Sequence, residues 1–385
     1  MDDSWWVKPE DLDEDQRDVI GLPPEGSYLV TGPPGSGKSN LLLLRANYLS
    51  LGEKPNLAIV VFTRTLEEFL ASGAGQYSFD AGSIYTSTRW QRDFLRRHGV
   101  TPPSCDEFDE QRRALLTLMN EMLDARSIPR KYQVLLLDEA QDYWPDEIKL
   151  FRKLTDRLFA VADSRQKIYG GEDAMDALAS VVDDTRELRY HYRNGRKICS
   201  VADTLGWRMP GYAPLLDTAN YREQDYPSKI DVVRANSESE QAAALLENLT
   251  KQLRAYPKGM IGVLCPRTQD LSGIWQFILD SPLAEQSQLQ HGSTGHSPFD
   301  GARRVCVSTI HSAKGLEFRA LNLVFAEGLT KFPTQRSMSY VAVTRAKTSL
   351  TVYHLGHLPG YLKEALAATE APSTPSIADA FRGGR

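Results

Sequence analysis

The sequence predicts an α/β protein of two domains, each built on a parallel β-sheet covered by helices on both faces. Three observations predict this class. The chain has 385 residues, a length typical of about two domains. Short apolar segments typical of buried strands alternate with amphipathic helical segments along two successive stretches. A glycine-rich turn at residues 32–39 joins the first predicted strand to a predicted helix.

The elements can be placed in chain order. The first stretch has predicted strands at 28–31, 57–62, 133–137 and 158–162, with helices at 39–51 and 107–125. The second stretch has strands at 230–234, 260–264, 304–308, 321–325 and 349–353, with a helix at 237–255. We predict a first domain at 1–184, with a small helical insertion at about 88–128, and a second domain at 185–368. Residues 208–226 and 281–301 are predicted to be irregular, and the tail 369–385 to be disordered.

Composition and charge narrow the class of protein. No apolar run reaches the ~18 residues of a membrane span, and the acidic N-terminus differs from a secretory signal, so we expect a cytoplasmic protein without a membrane partner. The four cysteines form no CxxC pair, which favours reduced thiols over a metal or redox site. The net charge is −5, but residues 1–15 alone carry −6. The remaining chain, at +1, allows a local basic groove but not a generally basic surface.

The glycine-rich turn matches the phosphate-binding pattern G-x-x-x-x-G-K-[ST], with the strand before it and the helix after it that this pattern requires. Glycines let backbone N–H groups wrap phosphates, and the helix N-terminus adds partial positive charge. Lys38 is expected to reach the β- and γ-phosphates, and the Ser39 hydroxyl to bind Mg²⁺. The predicted nucleotide-binding residues of this loop are Gly32, Pro33, Pro34, Gly35, Ser36, Gly37, Lys38, Ser39 and Asn40.

Two carboxylates, Asp138 and Glu139, follow the apolar strand predicted at 133–137. In phosphoryl transfer a metal neutralises the phosphate charge while a separate base orients the attacking nucleophile. Asp138 is therefore predicted to hold Mg²⁺ and Glu139 to activate water. A strand that ends in Asp-Glu is by itself more often a surface turn, and the phosphate-binding loop upstream favours the catalytic interpretation.

Several motifs resemble, in the same order, those of UvrD/Rep-type superfamily 1 DNA helicases. The longest are Asp-Glu-Ala-Gln-Asp at 138–142, Val-Ser-Thr-Ile-His-Ser-Ala-Lys-Gly-Leu-Glu-Phe at 307–318 and Tyr-Val-Ala-Val-Thr-Arg-Ala-Lys at 340–347. The resemblance covers about residues 12–353 and implies two RecA-like P-loop NTPase domains with ATP bound in the cleft between them. It implies catalytic roles for Lys38, Glu139, Gln166, Arg193 and Arg345, and further ATP contacts by Gln16, Tyr192, Gly315 and Glu317.

The same resemblance implies contacts with single-stranded nucleic acid, although three features depart from the family. Gly170 stands where the family has a stacking Trp, Asn40 stands where it often has Arg, and the chain has room for only small accessory insertions. Trp90 and Phe62 are either substitute stacking surfaces or core residues. The predicted nucleic-acid contacts are Phe62, Thr63, Arg64, Thr88, Trp90, Tyr169, Thr309 and His311.

The resemblance thus implies an ATP-dependent translocase or helicase that uses Mg²⁺ and moves 3′ to 5′ along single-stranded DNA, with RNA as the other strand type. The alternative is an ATPase gated by nucleic acid or by a protein partner, such as a nuclease or another repair or defence subunit. A small-molecule kinase on a P-loop gives the second domain's motifs no role. Trp5 and Trp6, in the acidic N-terminal arm, either dock a partner or pack on the first domain.

Overall fold

The computed structural model describes residues 11–52, 54–126, 128–163, 174–209, 212–291, 298–330 and 334–368. Its core is two six-stranded sheets in which every strand pair is parallel. Helices flank both sheets, so the predicted fold class, two RecA-like α/β domains, is confirmed. None of the helices in these ranges is long and apolar enough to cross a membrane.

The first sheet has the strand order β3-β2-β4-β5-β1-β6. Its strands are β1 (Tyr28–Thr31), β2 (Leu57–Val61), β3 (Ile84–Thr86), β4 (Tyr132–Leu137), β5 (Thr155–Ala162) and β6 (Asp184–Glu187). The helices of this part of the chain are α1 (Glu14–Ile20), α2 (Lys38–Leu51), α3 (Arg64–Gly73), α4 (Ser87–Arg97), α5 (Phe108–Ala125), α6 (Pro145–Lys153) and α7 (Met175–Val181).

The second sheet has the strand order β7-β12-β11-β8-β10-β9. Its strands are β7 (Lys229–Arg234), β8 (Ile261–Cys265), β9 (Ser287–Gln290), β10 (Val305–Thr309), β11 (Phe318–Leu323) and β12 (Ala346–His354). The accompanying helices are α8 (Arg196–Gly206), α9 (Glu238–Ala255), α10 (Thr268–Leu279), α11 (Thr334–Thr344) and α12 (Gly360–Ala367).

Alternate residues of the central strands enter different hydrophobic clusters, because successive side chains of a strand point to opposite faces. In β4, Val134 and Leu136 belong to one buried cluster, and Leu135 and Leu137 to another. The first cluster continues into the second domain, where Leu321 belongs to it. The central strands of both sheets are therefore buried on both faces, and apolar packing also joins the two domains.

All predicted strands overlap observed ones, but three observed strands were not predicted. Strands β3 and β6 are short, and every residue of β6 is exposed, so neither carries an apolar signal. Strand β9 lies inside 281–301, so the prediction that this whole segment is irregular was wrong. Strand β6 pairs with β1, which extends the first sheet beyond the predicted domain boundary at 184. Helices α4 and α5 occupy the predicted insertion.

Some predictions fall outside the described residues. These concern the catalytic Gln166, the nucleic-acid contact Tyr169, the neighbouring Gly170, the Trp5–Trp6 pair and the tail at 369–385. The four cysteines are free thiols, as predicted.

Candidate active site

The phosphate-binding loop connects β1 to α2, as its pattern requires. Gly35 and Gly37 have φ angles of 81° and 85°, in the left-handed region that favours glycine. The Lys38 ammonium donates hydrogen bonds of 2.8 Å to the carbonyl oxygens of Gly32 and Pro33 and lies 3.8 Å from the Asp163 carboxylate. It is therefore held at the loop by groups that phosphate oxygens can replace.

The polypeptide that follows β6 packs directly on this loop. The backbone N–H of Tyr192 donates to the Gly35 carbonyl at 3.1 Å. A Cβ atom on Gly35 would lie 2.4 Å from the Cβ atom of Arg193, closer than two such atoms can approach. Glycine is therefore required at position 35 for two reasons. Its φ is positive, and Arg193 approaches the loop too closely to leave room for a Cβ atom.

Asp138 and Glu139 stand at the carboxyl end of β4, and both are buried. Burial and the charge of Glu139 raise the pKa of Asp138 to about 7, while a hydrogen bond from the Ser39 side chain opposes this rise. The Oδ2 atom of Asp138 is buried and has no hydrogen-bond partner among the described residues. A buried carboxylate oxygen beside a hydroxyl suits Mg²⁺, which binds few protein ligands and keeps water and phosphate oxygens for the rest.

Glu139 is held rigidly. Its backbone has φ 47° and ψ 45°, an uncommon conformation for a residue with a side chain and one that marks functional sites. Its Oε2 atom accepts a 2.6 Å hydrogen bond from the side-chain amide of Gln141, whose Oε1 atom accepts from the Asp163 N–H at 2.8 Å. Gln141 therefore fixes the predicted base against the end of β5.

Cationic side chains of the second domain lower the pKa of this predicted base. Burial would raise the pKa of Glu139, but the charges of Lys314 and Arg345 and the Gln141 hydrogen bond hold it below its ordinary value. Arg345 is 2% exposed, and burial together with the charge of Arg193 lowers its pKa to about 10. Arg345 thus faces the carboxylates Glu139 and Asp163 of the first domain.

Arg193 is paired within the second domain. Its guanidinium bonds the Glu317 carboxylate, which also lies 3.0 Å from the Lys347 ammonium. Despite burial, these two cations lower the pKa of Glu317 to about 2. Glu317 is therefore charged at neutral pH and orients the arginine that approaches the phosphate-binding loop.

The loop at 311–317 of the second domain contacts α3 and the residues that follow β4. Lys314 and Asp142 form an ion pair in which both side chains are fully buried. The Thr63 hydroxyl donates to the Lys314 carbonyl at 3.3 Å. A Cβ atom on Gly315, whose φ is 87°, would lie 2.7 Å from Leu66 of α3. The structure therefore places Gly315, a predicted ATP contact, against α3.

Further predicted site residues lie at the start of α1. The Gln16 side-chain amide donates to the Ser36 carbonyl at 3.0 Å, and its Oε1 atom accepts from the Asp13 N–H at 3.1 Å. The Tyr192 hydroxyl donates to the Asp13 carboxylate. The predicted adenine contacts Gln16 and Tyr192 are thus brought together beside the loop, and Asn40 is buried in the first turn of α2.

The predicted nucleic-acid contacts near β2 keep some accessibility. Phe62 is partly buried and packs against Tyr143 and Phe108, with ring centroids 5.7 Å and 5.9 Å away. Thr63 caps α3 by accepting from Leu66 N–H at 3.3 Å. Arg64 is exposed and pairs with Glu68 at 3.0 Å.

One of the other predicted contacts, Trp90, was wrong, and another, Thr309, is buried. Trp90 is 2% exposed and packs on Phe151 at 5.3 Å, since the apolar face of α4 turns into the core. Thr309 is 5% exposed, and its hydroxyl caps the following turn by accepting from Ser312 N–H at 3.2 Å. Thr88 and His311 are partly exposed. Burial and the charge of Lys314 lower the pKa of His311.

Sequence reasoning missed three residues of this site: Gln141, Lys314 and Asp13. Gln141 and Lys314 lie inside motifs that were recognised, but their partners, Asp163 and Asp142, cannot be inferred from spacing. Asp13 had a local signal, because Asp three residues before Gln fits a capping box.

Two family models match segments of this chain, and two solved helicase structures resemble it. The model of the UvrD-like helicase C-terminal domain matches residues 304–353, and the model of an AAA domain matches residues 16–172. The C-terminal domain of a possible DNA helicase from Lactobacillus plantarum WCFS1 is 17% identical, with a TM-score of 0.34 over 46% of this chain and 96% of that one. The PRRSV helicase is 16% identical, with a TM-score of 0.42 over 88% of this chain and 54% of that one. No curated protein gives a significant match.

A phosphate-binding loop, an Asp-Glu pair and arginines from a second parallel-sheet domain define a two-domain P-loop NTPase. Within that class, the two matched domain models support a UvrD-like superfamily 1 helicase, and both domain families are ATP hydrolases.

Proposed function

We infer that this protein hydrolyses Mg²⁺–ATP between its two domains and uses the cycle to move along single-stranded DNA, in the 3′-to-5′ direction. The observation that supports this most is that cations of the second domain face the catalytic carboxylates of the first. Arg193 packs on Gly35 of the phosphate-binding loop, and the charges of Lys314 and Arg345 lower the pKa of Glu139.

Each of these residues has a role in the proposed cycle. Lys38 and the loop amides bind the phosphates, while Ser39 and Asp138 would hold Mg²⁺, which neutralises phosphate charge when bound. Glu139, oriented by Gln141, accepts a proton from the attacking water. Arg345 and Arg193 stabilise the negative charge that develops on the transferred phosphoryl group.

Hydrolysis would be coupled to movement because ATP binds groups from both domains. Nucleotide that contacts Lys38 and Arg345 together favours the closed arrangement, and product release removes that preference. The loop at 311–317 carries Lys314, His311 and Gly315, so it connects the domain contact to a segment predicted to bind the strand.

One observation favours the alternative, an ATPase gated by a protein partner. Trp90 lies in the core and is unavailable for stacking on a base. An aromatic platform is typically worth about 1–3 kcal/mol per stacked base, so the loss of one weakens the grip on a strand.

The test is ATP hydrolysis with Mg²⁺, measured alone, with single-stranded DNA and with single-stranded RNA, in the natural protein and in Glu139→Gln. We expect DNA to stimulate turnover and the substitution to abolish it. Strand displacement from duplexes with a 3′ or a 5′ overhang then tests direction. ATP hydrolysis that depends on Glu139 but is not stimulated by DNA or by RNA contradicts movement along a strand and supports the partner-gated ATPase. Absence of turnover contradicts both.

A further inference from the structure

A closed ring of hydrogen bonds surrounds Asp13 at the start of α1. Its Oδ1 atom accepts from the Gln16 N–H at 2.7 Å, its own N–H donates to Gln16 Oε1 at 3.1 Å, and its Oδ2 atom accepts from the Tyr192 hydroxyl. Gln16 then donates to the Ser36 carbonyl at 3.0 Å, and the Tyr192 N–H donates to the Gly35 carbonyl at 3.1 Å. The ring thus joins three separate segments: α1, the phosphate-binding loop and the segment after β6.

Asp13 is suited to this position by its chemistry. An ionised carboxylate accepts on both oxygens, so one oxygen can cap α1 while the other fixes the Tyr192 hydroxyl as a donor. The ring leaves the Gln16 side chain one orientation, because its Oε1 and Nε2 atoms each have an assigned partner. A base-reading amide whose donor and acceptor cannot exchange distinguishes bases by their hydrogen-bonding edges.

We propose that Asp13 is a specificity-determining positioning residue, which holds Gln16 and Tyr192 in the geometry that selects an adenine nucleotide over a guanine nucleotide. The inference rests on the proposed ATP site. Asp13 does not act on the phosphates, so its effect is expected in the binding of the base, separate from the chemistry at Glu139. A helix cap alone would stabilise α1 without changing the choice of base.

Neighbouring residues supply a matched control. Asp15, on the same helix, accepts from the Arg189 guanidinium at 2.7 Å and 2.9 Å, and Arg189 precedes Tyr192 in the same segment. This second pair also ties α1 to that segment, but among the described residues its side chains form no hydrogen bond with Gln16 or with the phosphate-binding loop. Asp15→Ala therefore removes a comparable link without disturbing the ring.

The experiment measures binding of fluorescent ADP and GDP analogues and kcat/KM for ATP and GTP in full-length Asp13→Ala, Asp13→Asn, Tyr192→Phe and Asp15→Ala. Loss of a charge-assisted hydrogen bond to Tyr192 is expected to reduce the preference for the adenine nucleotide about 3- to 10-fold in Tyr192→Phe, and by at least as much in Asp13→Ala. Asp13→Asn should restore the preference, because Asn caps helices as well as Asp and its amide can donate to the tyrosine oxygen. Asp15→Ala should keep the natural preference.

Thermal unfolding identifies variants that lose affinity because they are unfolded, and Tyr192→Phe keeps the cap if Asp13→Ala does not fold. An unchanged preference in Tyr192→Phe overturns the inference, because Asp13 would then act only as a cap. An equal loss in Asp15→Ala also overturns it, since any link between α1 and the 189–192 segment would suffice. A natural protein that hydrolyses ATP and GTP equally overturns it while leaving the proposed function standing; one that hydrolyses neither removes the proposed function itself.

Discussion

The buried ion pair between Lys314 and Asp142 gives the sharpest prediction about how the two domains are held together. Lys314 comes from the 311–317 loop of the second domain and Asp142 follows β4 of the first, and both side chains are 0% exposed. The substitution Lys314→Met keeps most of the side-chain volume and removes the charge. We expect it to destabilise the protein by separating the domains.

The magnitude follows from what Asp142 does without its partner. Removing one member of a buried ion pair typically costs about 3–5 kcal/mol, because the other charge is left buried. Protonation limits that cost. Holding neutral a carboxyl group whose ordinary pKa is 3.8 costs at most about 4 kcal/mol at pH 7 and about 2 kcal/mol at pH 5. Burial raises the pKa of Asp142 to about 6 although the Lys314 charge opposes this rise, so the natural protein already carries part of that cost. The variant's deficit should therefore grow from near zero at pH 5 to about 1–4 kcal/mol at pH 7.

The assay is urea unfolding at pH 5 and pH 7, with tryptophan fluorescence as the readout. The matched control is Lys149→Met, which breaks a surface pair of 2.9 Å between side chains that are 62% and 69% exposed and should cost less than about 1 kcal/mol. The double variant Lys314→Met/Asp142→Leu should regain most of the lost stability. A deficit at pH 7 no larger than that of the control, or one that does not decrease at pH 5, would refute this reasoning.

Three further predictions concern the arginine Arg345, the carboxylate Asp138 and the domain contact at Gly315. Arg345→Ala should lower kcat about 10³-fold or more with a smaller change in KM for ATP, as measured by steady-state hydrolysis, because it stabilises charge that develops in the transition state; an unchanged kcat would remove it from the active site. Asp138→Asn should stabilise the nucleotide-free protein in a chelator by on the order of 1–4 kcal/mol at pH 8, because burial raises the pKa of Asp138 from 3.8 to about 7 and the natural protein therefore loses stability as pH rises through that range. Equal urea midpoints for Asp138→Asn and the natural protein at pH 8 would contradict this. The gain in the free energy of unfolding should be smaller at pH 5. Gly315→Ala should lower the melting temperature, because a Cβ would lie 2.7 Å from Leu66 and the φ of 87° is unfavourable. Adding Leu66→Ala should restore only the part of the melting temperature that is lost to the steric clash, because the backbone strain remains.

The sequence predicted the chemistry of the first domain well, because the residues that carry it are close together in the chain. The order of strand, glycine-rich turn and helix at 28–51 specifies a phosphate-binding loop, and an apolar strand that ends in Asp138 and Glu139 specifies where the carboxylates stand. Buried parallel strands are continuous apolar runs, so those strands were identified by composition alone. Strands β3 and β6 were missed because they are short and lack an apolar run.

Only the tertiary structure decided which side chains are accessible and which distant residues meet. Trp90 fits a stacking role and a core role equally well in the sequence, and the packing of α4 on Phe151 puts it in the core. Gln141 and Lys314 lie in recognised motifs, but their partners Asp163 and Asp142 are fixed by parallel strands whose ends meet at one edge of a sheet, and by the second domain resting on that edge.

The sequence by itself therefore determined the fold class, the phosphate-binding loop and the Asp-Glu pair, since each depends on local spacing and local hydrophobicity. The tertiary structure decided that Arg193 packs on Gly35, that Arg345 and Lys314 act on Glu139, and that Asp13 joins Gln16 to Tyr192. These contacts connect residues that lie far apart in the chain, and their energies depend on burial, which spacing along a sequence does not encode.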